Sequence, residues 1–399
     1  MIIGKEACRV GGRDRTSRKI RYWRVIVSTI WRRQEDGMSQ ERAGTREWTR
    51  QAEAVALQRR FGVIQGCEAT RPYALTPDFV RQLQNAGFVA LNLSLAPHDA
   101  RKGLSSETKT FMSIVEAIDE WHAAVEKLPG AAILPVRTVD DISLAKRTGR
   151  VALIFGLQGA GYWLDRKLLV LRTLHRLGVR VVGIAYMRRD IFAEGTGEKA
   201  DGSLSSLGER LVKDLNRLGM VIDLSHMGRR ASLEVMELSE HPVILSHSNV
   251  RALCPSPRNL TDEQIDAVAQ TGSVIGLAAL SPLVTLESRR PTVGDFIAHL
   301  DYIVQRVGPD HVGMGWEYAH ARRPEDLVMS NSLYPDILGG KLTVETAHCE
   351  DVDGPQDMAK VTERLLDLGY PEDVLAKIFF SNYMRVFSQV WTRAGREQG

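Results

Sequence analysis

The chain has 399 residues, enough for one large domain with a buried core or for two smaller domains. Its composition is ordinary, with 44% hydrophobic and 25% charged residues, which excludes disordered, collagen-like and disulfide-framework proteins. A formal net charge of +3 is nearly neutral for this length, so the charge balance does not indicate a nucleic-acid partner.

The first fifty residues carry much of the excess of Lys and Arg, and the rest of the chain taken alone has a negative net charge. An apolar patch at residues 20–31 is too short and too basic to span a bilayer, which takes roughly 20 apolar residues. It also lacks a signal-peptide cleavage pattern. We therefore treat residues 1–50 as a basic N-terminal extension and expect residues 51–399 to form a single barrel domain with C-terminal helices. Two interpretations of the extension remain open: sequence upstream of a natural start at Met38, or an interfacial basic helix.

From residue 61 onward, short apolar runs alternate with longer amphipathic stretches. The apolar runs are rich in Val, Ile and Leu at nearly every position, which is typical of strands buried on both faces of a parallel sheet. Eight strands are predicted, at residues 61–67, 87–95, 151–158, 179–186, 220–226, 243–247, 273–279 and 312–317.

Helices are predicted between these strands. Thr76 and Thr261 supply N-caps at two helix starts, and glycines such as Gly219 and Gly272 end others just before a strand. Strands alternating with helices in this way predict one (β/α)8 TIM barrel, with a doubly wound open sheet as the alternative. The predicted helices cover residues 77–85, 108–127, 166–176, 204–218, 229–239, 262–271 and 293–307.

Polar side chains follow the apolar runs at the points where the predicted strands end. Chemistry in a (β/α)8 barrel takes place at this C-terminal end of the strands. His226 and His247 end consecutive strands, so we expect them to face the same mouth, as parts of a shared metal or catalytic site. A single histidine at such a place is more often a structural hydrogen-bonding group. The other residues at strand ends are Cys67, Glu68, Gln158, Tyr186 and Glu317.

Several blocks of sequence, in a fixed order, carry a family resemblance. The strongest are residues 216–226, 242–249 and 257–260. These segments resemble the membrane (renal) dipeptidase family of the amidohydrolase superfamily, and the resemblance runs from residue 62 to residue 387. It implies an amidohydrolase-like (β/α)8 barrel. The weaker blocks are residues 299–303, 311–315 and 382–387.

The resemblance implies which residues stand at the family's metal positions. That family hydrolyses dipeptides with two zinc ions. Its two histidines at the ends of the fifth and sixth strands match as His226 and His247. Its His-x-Asp pair falls on Cys67 and Ala69, and its bridging glutamate falls on Gln158.

The positions that handle the substrate in that family are also changed in part. The substrate-polarising histidine of the family falls on Tyr186. The aspartate that acts on protons falls on Glu317. The arginine that grips the substrate carboxylate matches as Arg258.

These replacements argue against a pair of zinc ions. Gln158 is neutral and cannot bridge two dications as a carboxylate does. One zinc ion held by His226 and His247 remains open, as does the absence of any metal. The third ligand would then be Cys67 or Glu317. Cys67 has two other interpretations, a buried apolar filler and a nucleophile.

Metal-free chemistry is the other reading of the site. Glu317 is a candidate proton donor or acceptor if burial raises its pKa, and Tyr186 is a candidate hydrogen-bond donor to a developing oxyanion. Structural alternatives remain open for both. Glu317 would pair with Arg188, Arg189 or Arg258, and Tyr186 would stack in the mouth.

Arg258 is the residue from which a substrate class is inferred. An arginine fork binds a carboxylate with two hydrogen bonds, so a carboxylate-bearing substrate is predicted. Gln158 and Tyr186 are the other candidate substrate-binding residues. A salt bridge that braces the loop is the structural alternative for Arg258.

The function predicted is that of a divergent dipeptidase-family enzyme acting on a small carboxylate-bearing, amino-acid or peptide-like molecule. Its chemistry would be mononuclear-metal or metal-free acid/base catalysis, as a hydrolase or else a lyase or isomerase. A residual zinc dipeptidase and a non-catalytic barrel scaffold are the alternatives. We expect no nucleic-acid partner and no membrane span, and the resemblance implies a homodimer. The four cysteines form no Cys-x-x-Cys pair, which predicts a cytoplasmic protein.

Overall fold

The computed structural model describes residues 40–95, 110–164, 166–340 and 342–391. The predicted apolar patch at residues 20–31 and the predicted start at Met38 lie outside these residues. One compact unit begins at Glu53. In the part of the chain that is described, no helix is long and apolar enough to cross a membrane.

The centre of this unit is a closed parallel barrel. Eight strands close on themselves because β1 pairs with β9 and β2 pairs directly with β4. This closure confirms the (β/α)8 barrel and excludes the open doubly wound sheet. The strands are β1 (Val63–Glu68), β2 (Phe88–Ser94), β3 (Ile133–Pro135), β4 (Val151–Leu157), β5 (Val179–Gly183), β6 (Val221–Asp223), β7 (Ile244–Leu245), β8 (Val274–Leu277) and β9 (Val312–Met314).

The strand β3 lies outside the ring of eight, and the sequence patterns did not predict it. It pairs with the first half of β4, from Val151 to Leu153, whereas β5 pairs with the second half, from Phe155 to Leu157. Three residues ending in proline are too few to show a periodicity. The prediction of a barrel of eight strands is therefore confirmed, and β3 is one additional strand of the sheet.

Helices follow the strands and cover the outside of the barrel. The helices α2 and α11 have the predicted bounds, because N-caps fix their starts: Thr76 accepts a hydrogen bond from the Phe79 amide, and Thr292 forms a capping box with Asp295. The helices of five or more residues are α1 (Gln40–Phe61), α2 (Pro77–Asn85), α3 (Phe111–Glu126), α4 (Val139–Thr148), α5 (Ala160–Leu164), α6 (Val170–Arg176), α7 (Ser206–Leu218), α8 (Arg229–Leu238), α9 (Asp262–Gln270), α11 (Val293–Val307), α12 (Pro324–Leu333), α14 (Met358–Asp367), α15 (Glu372–Ala376) and α16 (Asn382–Trp391), and the four-residue helices are α10 (Ser281–Val284) and α13 (Pro335–Leu338).

The N-terminal end of the barrel is closed by Tyr383, which enters from α16. Its ring is fully buried, and its hydroxyl donates a hydrogen bond to the Met314 carbonyl at 3.1 Å. A Cβ at Gly66 or Gly276 would overlap the Tyr383 hydroxyl, and a Cβ at Gly313 would lie 2.6 Å from its ring. Glycines on three strands thus make room for one aromatic side chain. Ligand access is left to the opposite end.

Candidate active site

The site residues inferred from the sequence lie at the C-terminal end of the barrel. Cys67 is at the end of β1, and Gln158 directly follows β4. The loop after β5 carries Tyr186, and His226 follows β6 by a few residues. His247 follows β7, and Glu317 follows β9.

The two histidines are in direct contact. Nε2 of His226 lies 2.7 Å from Nε2 of His247, and both side chains are buried. Nδ1 of His226 lies 3.5 Å from the sulfur of Met187. The Tyr186 ring lies against the His226 ring, tilted by 30°, with 4.1 Å between the centroids.

Two residues to which the sequence reasoning gave no role hold His247 from behind. The hydroxyl of Ser246 lies 2.7 Å from Nδ1 of His247 and 2.5 Å from Oδ2 of Asp223. Oδ1 of Asp223 accepts hydrogen bonds from the backbone amides of Ser225 and Ser246. All of these groups are buried. Both residues belong to the blocks that carry the family resemblance, and the only signal in the sequence was a polar residue at the end of an apolar run.

Arg258 contacts the backbone of His247. Its side chain is 3% exposed, and Nη2 donates a hydrogen bond to the His247 carbonyl at 3.1 Å. Burial lowers the pKa of Arg258, and the nearby carboxyl of Glu317 offsets part of that effect, with Tyr186 contributing less. The guanidinium is therefore near an acid and a phenol at this end of the barrel.

Glu317 is the acidic group of the mouth. Burial raises the pKa of its carboxyl, while Arg258 and Arg322 act in the opposite direction. Its Oε2 atom is buried and has no hydrogen-bond partner among the described residues. Pairing with the two arginines of the loop after β5 is not seen, because Arg188 pairs with Asp336 and Arg189 with Glu194.

Two of the site residues have a backbone conformation that side chains disfavour. His226 has φ of 72° and Glu317 has φ of 57°, in the left-handed region. A residue other than glycine held there costs on the order of 1–3 kcal/mol, so the surrounding structure must impose the conformation. Such strain clusters at functional sites, and no pattern in the sequence reveals it.

Cys67 and Gln158 contact each other. Nε2 of Gln158 donates to the Cys67 sulfur at 3.7 Å. Burial first, and Glu317 second, raise the pKa of the Cys67 thiol well above its usual value. A nucleophile must be a thiolate, so the raised pKa disfavours that role for Cys67. Both residues line a small cavity below the mouth together with Asn92 and Asp223.

The phenol of Tyr186 is held in its neutral form. Burial, followed by the effects of Tyr334 and Glu317, raises its pKa. Tyr334 lies between α12 and α13, is 3% exposed, and meets the Tyr186 ring edge-on at 5.8 Å. Arg188 holds this segment through Asp336 at 2.9 Å. Tyr186 is therefore a hydrogen-bond donor, and Tyr334 is a wall of the mouth that the sequence reasoning missed.

The donor groups present do not fit the two-zinc centre of the family that the sequence resembles. Tetrahedral zinc bound at about 2.0–2.1 Å places two imidazole nitrogens about 3.3 Å apart, whereas those of His226 and His247 are 2.7 Å apart. At the position where the resemblance implies the bridging glutamate, this chain has Gln158, which is neutral. Within the described residues, no group of three or more His, Cys, Asp or Glu side chains is arranged to hold a metal ion.

Barrel and mouth together define an amidohydrolase-like protein. The chain belongs to the membrane dipeptidase family (peptidase family M19), whose family model matches residues 54–339. It is 31% identical over 223 residues to the dipeptidase tcpJ of Claviceps purpurea, covering 54% of this chain and 51% of that protein. The match thus spans about half the length of that relative. An uncharacterized protein of Klebsiella pneumoniae is 29% identical over 260 residues, with 63% of this chain and 86% of that protein covered.

Solved structures give the same result for the fold. An amidohydrolase from Pseudomonas aeruginosa is similar with a TM-score of 0.75 and 25% identity, covering 85% of this chain and 99% of that one. A metallo peptidase from Rhodobacter sphaeroides, solved with a phosphinate mimic of the dipeptide L-Ala-D-Ala, has a TM-score of 0.67 and 20% identity over 83% of this chain and 99% of that one. The second likeness concerns the fold alone.

Proposed function

We propose that this chain is a divergent dipeptidase-family enzyme that binds a small carboxylate-bearing, amino-acid or peptide-like molecule and acts on it by acid/base chemistry of side chains. The observation that carries the proposal is Arg258. Its guanidinium has five N–H donors, and its hydrogen bond in the described part of the chain is to a single carbonyl, that of His247. A buried arginine at the C-terminal end of the barrel, with donors beyond that one hydrogen bond, is suited to a ligand carboxylate.

The other candidate groups surround the place where that ligand would lie. The neutral phenol of Tyr186 would donate a hydrogen bond to an oxygen on which negative charge develops. The Oε2 atom of Glu317 would take up a proton from the ligand or return one to it, since burial brings its pKa closer to neutrality. The reaction class that these groups support is proton transfer beside a carboxylate, as in hydrolysis, elimination or isomerisation.

The alternatives explain the mouth less well. A two-zinc dipeptidase needs a bridging anion where Gln158 stands. A non-catalytic scaffold gives no reason to bury Arg258 and Glu317 together, because a buried charge costs free energy unless it is fully paired.

The test is a binding screen of amino acids, N-acyl amino acids and dipeptides by thermal shift and calorimetry. We expect at least one carboxylate to bind the wild type, and Arg258→Ala to weaken that binding roughly ten- to a hundredfold, since charge-assisted hydrogen bonds contribute about 1.5–3 kcal/mol. Arg258→Lys should weaken it less, because the charge remains without the planar fork.

Arg180→Lys is the matched control. Arg180 is a second buried arginine, at the N-terminal end of the barrel, where Nε and Nη1 donate to backbone carbonyls. Its replacement should lower the melting temperature without changing affinity. Equal affinity of wild type and both Arg258 variants, or no binding of any carboxylate by the wild type, would contradict the proposal.

Compartment and assembly are further parts of the proposal. The three cysteines in the described residues, Cys67, Cys254 and Cys349, are free thiols and buried, which supports a reduced, cytoplasmic location. The homodimer implied by the family stays a prediction, and sedimentation analysis of the purified protein tests it.

A further inference from the structure

A chain of buried hydrogen bonds runs behind the two histidines of the mouth. It begins at the carboxyl of Asp223, passes through the hydroxyl of Ser246 to Nδ1 of His247, and continues from Nε2 of His247 to Nε2 of His226. Each of these side chains is at most 2% exposed. Because these side chains are buried away from bulk water, each hydrogen-bond donor among them must face an acceptor within the same set.

The direction of the first two bonds follows from the groups present. A serine hydroxyl has one proton and two lone pairs, and a carboxylate only accepts. Ser246 therefore donates to Asp223 and accepts from Nδ1–H of His247. The hydroxyl of Ser225, 3.3 Å away, fits the second lone pair of Ser246, while its own oxygen accepts from the His247 backbone amide.

The last bond is then determined as well. With a proton on Nδ1, the neutral His247 ring has a lone pair on Nε2. An atom that accepts across 2.7 Å needs a donor opposite, so His226 carries a proton on its own Nε2. The pair consequently shares one proton between two nitrogens, and it does not present two lone pairs to a metal ion.

We propose that Asp223 and Ser246 are positioning residues that fix the tautomers of both histidines, and so orient the His226 ring against which Tyr186 lies. This inference deepens the proposed function, because Tyr186 is the group offered to the ligand. The carboxyl of Asp223 would orient the Ser246 hydroxyl, which it contacts directly. Through that hydroxyl it would orient His247, His226 and Tyr186, which it does not contact. His226 and His247, which match the family's metal-binding histidines, are thus members of a hydrogen-bonded chain of side chains in this protein.

The decisive variant is Asp223→Asn, which keeps the shape of the side chain and reverses the direction of the hydrogen bonds that lead to the histidines. The asparagine oxygen continues to accept from the amides of Ser225 and Ser246, while its amide nitrogen donates to the Ser246 hydroxyl. Ser246 must then donate to Nδ1 of His247, which places the proton of His247 on Nε2. An amide in place of a carboxylate behind a histidine selects the other tautomer for the same reason in other enzymes.

The experiment is nitrogen NMR of the full chain labelled with 15N-histidine, at one fixed pH, with His247→Gln used to assign the His247 signals. We expect Nδ1–H for His247 in the wild type, Nε2–H in Asp223→Asn, and a loss of the fixed tautomer in Ser246→Ala. Ser225→Ala is the matched control, since that serine contacts the backbone of His247 and not its ring, and it should leave the tautomer unchanged.

A second measurement adds one equivalent of Zn²⁺ to the wild type. We expect the signals of His226 and His247 to stay where they are. Stoichiometric shifts of both rings would overturn the inference, as would the same His247 tautomer in wild type, Asp223→Asn and Ser246→Ala. Tautomers that switch as expected in a protein that binds no carboxylate would contradict the proposed function and leave the positioning role intact.

Discussion

The two ends of the barrel use the same kinds of residue in opposite ways. Arg180 at the N-terminal end is 6% exposed and donates to the carbonyls of Arg137, His175 and Val179 at 2.7–2.9 Å. Arg258 at the mouth is 3% exposed and donates to one carbonyl. Burial lowers the pKa of both, that of Arg180 to about 10. Equal burial therefore does not mean equal hydrogen bonding, because one guanidinium donates to three carbonyls and the other to one.

The backbone shows the same contrast. Where helices lead into strands at the N-terminal end, the left-handed positions are glycines, as at Gly178 and Gly219. Where strands lead into loops at the mouth, His226 and Glu317 take up that conformation. Glycine relieves strain at no cost in function at the first place. At the second, the side chain is retained although it strains the backbone.

The largest expected effect is at the closed end. Tyr383→Ala should lower the free energy of unfolding by about 3–5 kcal/mol, because it empties the space that three glycines leave for the ring. Tyr383→Phe should cost only about 0.5–1.5 kcal/mol, the net value of the hydrogen bond to Met314. Urea denaturation measures both. A loss below about 1 kcal/mol for the alanine variant would mean that the ring does not support the barrel.

At the mouth, the pH dependence of stability should report the buried carboxyl of Glu68. Burial raises its pKa from 4.5 to about 7, so the folded protein binds the proton more tightly than the unfolded chain does. The associated stability is complete below pH 4.5 and is lost as the pH rises to about 7, by about 3 kcal/mol. Glu68→Gln should remove this decline between pH 4.5 and about 7. Parallel curves for wild type and variant would contradict the assignment.

The two arginines allow a direct comparison of the ends. Arg180→Met leaves three carbonyls without their donor and should cost about 1–3 kcal/mol in unfolding free energy. Arg258→Met removes one hydrogen bond and an incompletely paired charge, so its cost should stay near 1 kcal/mol. Thermal or urea unfolding of the pair measures the difference. If Arg258→Met lowers the unfolding free energy more than Arg180→Met does, Arg258 braces the loop. Its guanidinium would then not be available for a ligand.

The smallest effect concerns the strained backbone. Glu317→Gly and Glu317→Ala both remove the carboxyl, but only glycine accepts φ of 57° without strain, so the glycine variant should be more stable by about 1 kcal/mol. Gly219→Ala, at φ of 65°, should lose a similar amount and is the matched control at the other end. An alanine variant at position 317 that is as stable as the glycine variant would show that the loop relaxes.

Much of the fold was predictable because local chemistry and global architecture agree. The capping threonines and terminal glycines gave helix bounds, and the apolar runs gave eight strands of a barrel. The short strand β3 escaped because three residues show no periodicity. The C-terminal helices were expected only in general, without bounds, although α14 and α16 are strongly amphipathic. The structure has strands that end earlier than the apolar runs do, as at β7, because the last residues of each run turn toward the mouth.

The position of the site was predictable from the sequence, but the hydrogen bonds and contacts within it were less so. The strand-end rule brought His226, His247 and Glu317 to one mouth. The role of Asp223 depends on a hydrogen bond between neighbouring strands, and that of Tyr334 depends on a segment that folds back over the mouth. Neither relation leaves a trace in residue spacing.

Tyr383 also orders events in time. The residue that completes the interior of β1 lies in α16, so a ribosome has made all nine strands before that interior is filled. Until α16 docks, the first strand and the last two strands have bare glycine backbone facing an unfilled space, and the sheet lacks its internal support. Contacts between such distant parts of a chain form slowly and leave apolar surface exposed meanwhile. The interior of the barrel is therefore completed by α16, and shortening the chain at that helix would be felt in the first strand, β1.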